Sequence, residues 1–173
     1  MRVFLLIILL ISAAVVFIKK PPSNTQTPVS SFIAEATVPK ETEVKNLDGS
    51  KKLVLTEEGS VFISDDKSRR LLYSGTNLSL PQNAWAPDDN YVFIKQDATF
   101  LVFKTSGEPF AGGEQFLDVV SLFVQKQPER IFKDATGWDG VGLMHVVSDN
   151  LPAGRQDTSF WFDVASKGFL QLY

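Results

Sequence analysis

Catalysis by protein side chains commonly pairs a nucleophile with a base, and this chain of 173 residues contains one histidine and no cysteine. His145 alternates with Met144 and Val146 in an apolar run that predicts a β-strand. A Ser-His-Asp triad would need His145 itself as its base, and the sequence contains no G-x-S-x-G motif. We therefore expect His145 to be structural, the chain to hold no catalytic residue, and the protein not to be an enzyme.

Pairs of neighbouring carboxylates are the remaining candidates for chemistry: Glu57-Glu58, Asp65-Asp66 and Asp88-Asp89. None follows the alternating Asp-x-Asp-x-Asp-Gly spacing with which one short loop wraps a calcium ion. Acidic side chains in turns instead accept hydrogen bonds from the backbone that follows them. The pairs therefore predict turns, and we expect neither a metal site nor a cofactor.

The charge of the chain is unevenly distributed. The formal net charge is -3, from 17 basic and 20 acidic residues. Residues 1–20 carry Arg2, Lys19 and Lys20 and no acid, so the remainder has 14 basic residues and a net charge of -6. A mildly acidic domain is a poor match for phosphate backbones, so we expect no nucleic-acid partner.

The N-terminal segment, residues 1–20, predicts attachment to a membrane. Val3 to Ile18 is an apolar run interrupted only by Ser12, and a helix of this length spans roughly 24 Å. Cleavage at the small residues 12–14 is the alternative, but it would leave an apolar new N-terminus. We favour an uncleaved signal anchor, a single-pass helix with the rest of the chain outside the cytoplasm, although the flanking charges are nearly balanced.

Residues 21–43 begin with PPSNTQTPVSS, which is rich in Pro, Ser and Thr. Such a composition is typical of a flexible tether that holds a domain away from a membrane. The segment is predicted to be a linker, and the domain is predicted to occupy residues 44–173.

Short apolar runs separated by turn residues characterise residues 44–173 and predict an all-β, antiparallel fold. The predicted strands are residues 53–55, 61–63, 71–73, 91–95, 99–103, 143–147, 159–163 and 169–173. Residues 116–134 are predicted to add two strands across a turn at Gln127-Pro128.

Three units open at Asp48, Asp88 and Asp139, which are 40 and 51 residues apart. A period near 40 residues with three or four strands in each unit is typical of the blades of a β-propeller. The middle unit, residues 83–108, has the most regular pattern of turn, strand, reversal and strand.

The stretch AWAPDDNYVFIKQD in this unit resembles the W-S-P-D-G-K-x-I-A-F core of TolB-type and dipeptidyl-peptidase-type β-propeller repeats, often described as WD-like. Asp89 stands where these repeats usually have Gly, and the third unit has GWDG instead of the full motif. The resemblance covers about residues 44–173 and implies propeller-like repeats. Since closed propellers have about four to eight blades, three units suggest a half that pairs with another copy, a fragment, or a small twisted sandwich.

Trp85, Pro87, Asp88, Trp138 and Asp139 are the candidate site residues, interpreted as turns that repeat between units. Pro87 fixes φ and donates no N–H, and Asp88 can bond the backbone ahead of it. The indoles of Trp85, Trp138 and also Trp161 are expected to wedge between sheets. An exposed aromatic surface for a glycan or peptide is the alternative interpretation.

These observations predict a membrane-anchored β-repeat domain that binds a protein or envelope component, because propeller-like surfaces mostly act as binding platforms. One alternative is an accessory propeller domain of a membrane-bound peptidase whose catalytic part lies on another chain. A purely structural envelope protein is the other. A second copy of the chain is a further candidate partner.

Overall fold

A computed structural model describes residues 40–150 and 157–173, which belong to one compact unit. The predicted signal anchor and nearly all of the predicted linker lie outside the described residues. Within the part that is described, no helix is both long enough and apolar enough to cross a membrane. The β-domain begins at Thr42, two residues before the predicted boundary.

Twelve strands and one helix make up the described residues. Their bounds are β1 (Thr42–Lys45), β2 (Lys52–Leu55), β3 (Ser60–Ser64), β4 (Arg69–Ser74), β5 (Leu78–Ser79), β6 (Tyr91–Gln96), β7 (Thr99–Lys104), β8 (Leu117–Asp118), α1 (Val119–Lys126), β9 (Arg130–Gly140), β10 (Leu143–Asn150), β11 (Thr158–Asp163) and β12 (Gly168–Gln171).

The strands form three antiparallel four-stranded sheets that follow one another along the chain. The first sheet is β1-β2-β3-β4, the second is β5-β6-β7-β8, and the third is β9-β10-β11-β12, each with neighbouring strands adjacent in sequence. Every strand pair is antiparallel, with registers such as Val54↔Phe62 and Phe93↔Val102. The predicted all-β, antiparallel fold is therefore confirmed for these residues.

Turn chemistry explains why the chain reverses where it does. The carboxylate of Asp65 accepts hydrogen bonds from the backbone N–H groups of Lys67 and Ser68, at 2.8 and 2.7 Å. These bonds, led by the one from Lys67, lower the pKa of Asp65. The local bonds close the reversal between β3 and β4, as the interpretation of the carboxylate pair as a turn predicted.

The prediction of two strands in residues 116–134 is wrong in part, because Val119–Lys126 is a helix. The side chain of Asp118 caps its N-terminus by accepting from the Ser121 N–H at 3.0 Å. Val119 and Phe123, four residues apart, are fully buried on one helical face. β-branched apolar residues favour strands locally, but the cap and this spacing select the helix.

Two hydrophobic clusters lie between the sheets. The cluster between the first and second sheets has as its buried members Val44, Leu53, Val61, Leu80, Ala84, Trp85, Val92, Ile94, Leu101 and Phe103. The cluster between the second and third sheets, which also takes in α1, has as its buried members Phe93, Phe100, Val102, Phe110, Leu117, Val119, Phe123, Ala135, Met144, Val146, Phe160, Phe162 and Val164. The second sheet contributes to both clusters, so it is covered on both faces.

Candidate functional site

The turn at residues 86–91 has the same backbone hydrogen bonds as the turn at residues 46–51. Asn46 N donates to Lys51 O at 3.0 Å, and Ala86 N donates to Tyr91 O at 2.9 Å. Within each turn a second bond closes the reversal, from Gly49 N to Asn46 O and from Asp89 N to Ala86 O. The two turns therefore have the same backbone hydrogen-bond pattern, offset by 40 residues.

Asp48 and Asp88 occupy the same place in these two turns. Each carboxylate accepts from the backbone N–H two residues ahead, Ser50 at 2.8 Å and Asn90 at 3.3 Å. Hydrogen bonds from Ser50, first from its hydroxyl and then from its amide, lower the pKa of Asp48. The predicted role of Asp88 in setting up the following strand agrees with this geometry.

Asp89 takes the left-handed conformation that Gly49 takes in the first turn, with φ of 58° against 74°. A non-glycine residue in this region is uncommon and is usually held by its surroundings. Asn46 Nδ2 donates to Asp89 Oδ2 at 2.7 Å, and Thr105 Oγ1 donates to Asp89 O at 2.6 Å. The residue that departs from the glycine of the resembled repeats thus ties its turn to the preceding turn.

The indole of Trp85 lies between the first and second sheets. Its Nε1 donates to the carbonyl oxygen of Val44 in β1 at 3.0 Å, and the residue is 9% exposed. Trp85 also forms an isolated antiparallel bridge with Val92 in β6. The predicted burial of Trp85 against a neighbouring sheet is confirmed, and we call this contact the first joint.

Trp138 makes the equivalent contact between the second and third sheets. Its Nε1 donates to the carbonyl oxygen of Ala84 at 3.0 Å, and its ring packs against Tyr91 and Phe93. Ala84 corresponds to Val44 in the 40-residue offset of the turns. In both cases an indole N–H donates to the carbonyl at the corresponding position of the preceding sheet. We call the Trp138 contact the second joint.

Two expectations about the third unit need correction. Trp138 and Asp139 lie within β9 and not in a turn, since the ladder to β10 continues to Gly140. Trp161 does not wedge between sheets. It lies half-buried on the outer face of the third sheet, where its Nε1 donates to Asp139 Oδ2 at 2.8 Å. Asp139 therefore is not the equivalent of Asp88, although both follow a tryptophan closely.

Apolar side chains stand exposed at the tips of the three corresponding turns, a feature that the sequence analysis missed. Leu47 is 92% exposed and Val141 is 66% exposed, and Pro87 is exposed between them in chain order. The first two turns touch through the bond from Asn46 to Asp89, and Gly142 lies against the Tyr91 ring. We call Leu47, Pro87 and Val141 the tip row. In the sequence, each of them is an apolar residue inside a turn rich in Asp or Gly.

His145 lies on the outer face of the third sheet, with its Nδ1 2.5 Å from the Thr136 hydroxyl. It lines an open cleft of about 560 Å³ together with Asp157, Thr158, Ser159, Gln171, Leu172 and Tyr173. Among the residues that the structure describes, no three His, Cys, Asp or Glu side chains are grouped closely enough to hold a metal ion.

The site and the fold together define an all-β domain of three antiparallel four-stranded sheets whose neighbours are joined by equivalent tryptophans. No protein-family model, no curated protein and no solved structure matches the chain.

Proposed function

We propose that the chain is a membrane-anchored domain displayed outside the cytoplasm, whose three sheets are propeller-type blades and whose tip row binds a protein or envelope component. The observation that carries the binding proposal is the exposure of Leu47 and Val141, at 92% and 66%. Apolar side chains grouped at one end of a folded domain and rimmed by polar residues are typical of protein interaction sites.

The blade interpretation is supported by the equivalence of the joints. Each sheet is a four-stranded meander, and the next sheet in the chain places an indole on the same backbone position of its predecessor. A repeated contact of this kind stacks successive sheets with the same relation to each other, which is how radial repetition builds a propeller.

The membrane proposal is supported by the sequence. The apolar run from Val3 to Ile18 and the Pro-, Ser- and Thr-rich segment after it have the composition of an anchor and a tether. If the domain lies outside the cytoplasm, protease removes a C-terminal tag on Tyr173 from cells whose outer layers have been opened but whose cytoplasmic membrane is intact. Complete protection of the tag until the cytoplasmic membrane is permeabilised would contradict the proposed orientation.

The binding proposal is tested by placing a photo-crosslinking amino acid at residue 47 of the full-length chain in its native membrane. Residue 124 is the matched control, because Val124 is also apolar and 56% exposed, but lies on α1. We expect a discrete cross-linked product from position 47 that position 124 does not give, and its loss on Val141→Glu substitution. Equal labelling from both positions would contradict a binding site at the tip row.

A further inference from the structure

The two outermost sheet faces of the described domain carry opposite charge. On the first sheet, the face turned away from the second sheet has two cross-strand rows, Glu43-Val54-Phe62-Leu71 and Lys45-Lys52-Ser64-Arg69. We call it the basic face. Three basic residues stand on it, of which Lys52 pairs with Glu43 at 2.5 Å and Arg69 pairs with the neighbouring Glu41 at 2.8 Å, so Lys45 gives the excess of one positive charge.

The corresponding face of the third sheet is acidic. A cross-strand row of His145, Trp161 and Leu170 crosses it. Five aspartates lie on or beside the strands, Lys133 pairs with two of them at 3.5 and 2.7 Å, and Arg130 and Lys167 are the other basic residues of the described part of this sheet and its turns. These aspartates are Asp134, Asp139, Asp149, Asp157 and Asp163. We call this the acidic face.

Both faces also expose apolar side chains at matching places. Leu71 in β4 is 53% exposed and Leu170 in β12 is 55% exposed, and each lies on the fourth strand of its sheet. Phe62 and Trp161 lie one strand further in, on β3 and β11. The two faces thus expose leucines on corresponding edge strands and carry charges of opposite excess, as complementary protein surfaces do.

Lys45 stands where the internal joints have tryptophan. The turn equivalence that relates Asn46 to Ala86 places Lys45 at the position of Trp85, whose indole reaches the preceding sheet. Aligning Trp138 with Trp85 makes Gly137 of the third sheet correspond to Ala84 and Val44, and the exposed Asp139 is two residues further on. A first sheet stacked on a third sheet as the internal sheets are stacked would bring Lys45 beside Asp139.

From these observations we propose that two copies of the chain associate head to tail, the basic face of each on the acidic face of the other. Because each copy carries one face of each kind, two such contacts close a ring of six sheets, within the range of about four to eight blades of closed propellers. The inference rests on the blade interpretation of the sheets, and not on the tip row or the membrane anchor.

The test uses the absence of cysteine from the chain. Full-length Leu71→Cys and Leu170→Cys chains in mild detergent are treated with a short bis-maleimide, separately and after mixing. We expect cross-linked dimers from the mixture and from the double variant, and none from either single variant. Val124→Cys, which exposes a comparable side chain on α1, is the control expected to link with neither. Self-linking of one single variant indicates that like faces meet each other, and no linking in the mixture indicates separate copies; either result overturns the proposal.

Charge reversal provides the second measurement. Lys45→Glu and Asp139→Lys should each weaken the dimer on the order of tenfold, measured by mass photometry across a dilution series. The Lys45→Glu/Asp139→Lys double variant should recover most of the affinity, because it restores an opposite-charge pair at the same contact. Two singles that dimerise like wild type, or a double variant no better than the singles, overturns the proposed register. If position 47 gives no specific cross-link while the dimer remains intact, the binding proposal for the tip row is contradicted and the dimer proposal is not.

Discussion

In the first and second joints alike, a tryptophan indole donates a hydrogen bond to a backbone carbonyl of the preceding sheet. The two joints differ in the side chains that pack around this contact. Trp85 is buried to 9% exposure among the side chains of two sheets. Trp138 is only half-buried, and α1 supplies much of the core beside it through Phe123, which is fully buried. The first joint is closed by the sheets alone, whereas the second joint contains a helix.

This difference shows where each joint obtains its stability. Phe123 makes edge-on contacts with Phe132, Phe160 and Phe169, with ring centroids 5.0–5.6 Å apart. Such contacts add to the free energy gained by burying the rings. The second joint therefore has an apolar core that does not depend on its tryptophan, while the first joint has Trp85 near its centre.

Replacing Trp85 with alanine should lower the stability of the folded domain more than any other single substitution in the joints or turns. Trp85→Ala removes a buried ring and leaves a cavity, so we expect the free energy of unfolding to fall by about 3–5 kcal/mol. Thermal and urea melts of the variant beside wild type measure it. A variant that melts like wild type yet no longer gives the position-47 cross-link would mean that Trp85 belongs to a binding surface and not to a joint.

Removing only the indole N–H sharpens the comparison between the joints. Trp85→Phe keeps most of the apolar ring but removes the hydrogen bond that Nε1 donates to the Val44 carbonyl in a buried place, at a cost of about 1 kcal/mol. Trp138→Phe removes the corresponding bond to the Ala84 carbonyl, which keeps a hydrogen bond from Phe93 N at 2.9 Å, and it does so at a half-buried ring that solvent can approach. We therefore expect Trp138→Phe to lower the free energy of unfolding less than Trp85→Phe does. A larger loss for Trp138→Phe in urea melts would contradict the more central role of Trp85.

The helix in the second joint should make that joint sensitive to acid. Burial opposes ionisation of Asp118, but hydrogen bonds from the Ser121 amide and from the Thr99 and Ser121 hydroxyls outweigh it and lower its pKa. A lowered pKa in the folded state stabilises the protein above the ordinary value of 3.8, and this contribution is lost as pH falls through the folded pKa.

Asp118→Ala should therefore cost about 1 kcal/mol at pH 7, the usual loss for a helix cap, and the loss should shrink in acid. Thermal melts of the variant and wild type between pH 7 and pH 3 measure both the loss of stability at pH 7 and its decrease in acid. A difference from wild type that stays constant over this range would contradict the capping role of the ionised carboxylate.

Asp88→Ala should have the smallest effect, about 1 kcal/mol or less, because it removes a hydrogen bond at an accessible turn. Asp48→Ala is the matched substitution in the equivalent turn of the first sheet. Similar small shifts of the two melting temperatures support the equivalence of the turns. A loss at Asp88 as large as that for Trp85→Ala would show a role beyond the turn.

The hairpins could be predicted because local chemistry determines them. Alternating apolar residues and the turn residues around Gly59, Asp65 and Asp88 specify where strands begin and reverse, and neighbouring strands then pair. The turns at 46–51 and 86–91 share a backbone hydrogen-bond pattern, and their aspartates, Asp48 and Asp88, are 40 residues apart in the sequence. The left-handed conformation of Asp89 also follows from its alignment with Gly49.

The helix and the tryptophan contacts could not be predicted in the same way. The segment 119–126 is apolar and β-branched, so its helical spacing shows only when Asp118 is recognised as a cap. The bond from Trp85 to Val44 joins residues 41 positions apart and depends on the packing of whole sheets. The position of Trp161 on an outer face could not be predicted for the same reason, because no local signal distinguishes the two faces of β11.

The most direct test of the two joints is hydrogen exchange of the three indole N–H groups, followed by NMR and assigned with single Trp→Phe variants. We predict that Trp85 exchanges most slowly, Trp138 next, and the half-exposed Trp161 fastest, because exchange at the joints requires the sheets to separate. Exchange of Trp85 and Trp138 as fast as that of Trp161 would contradict the account, since neither indole could then be holding two sheets together.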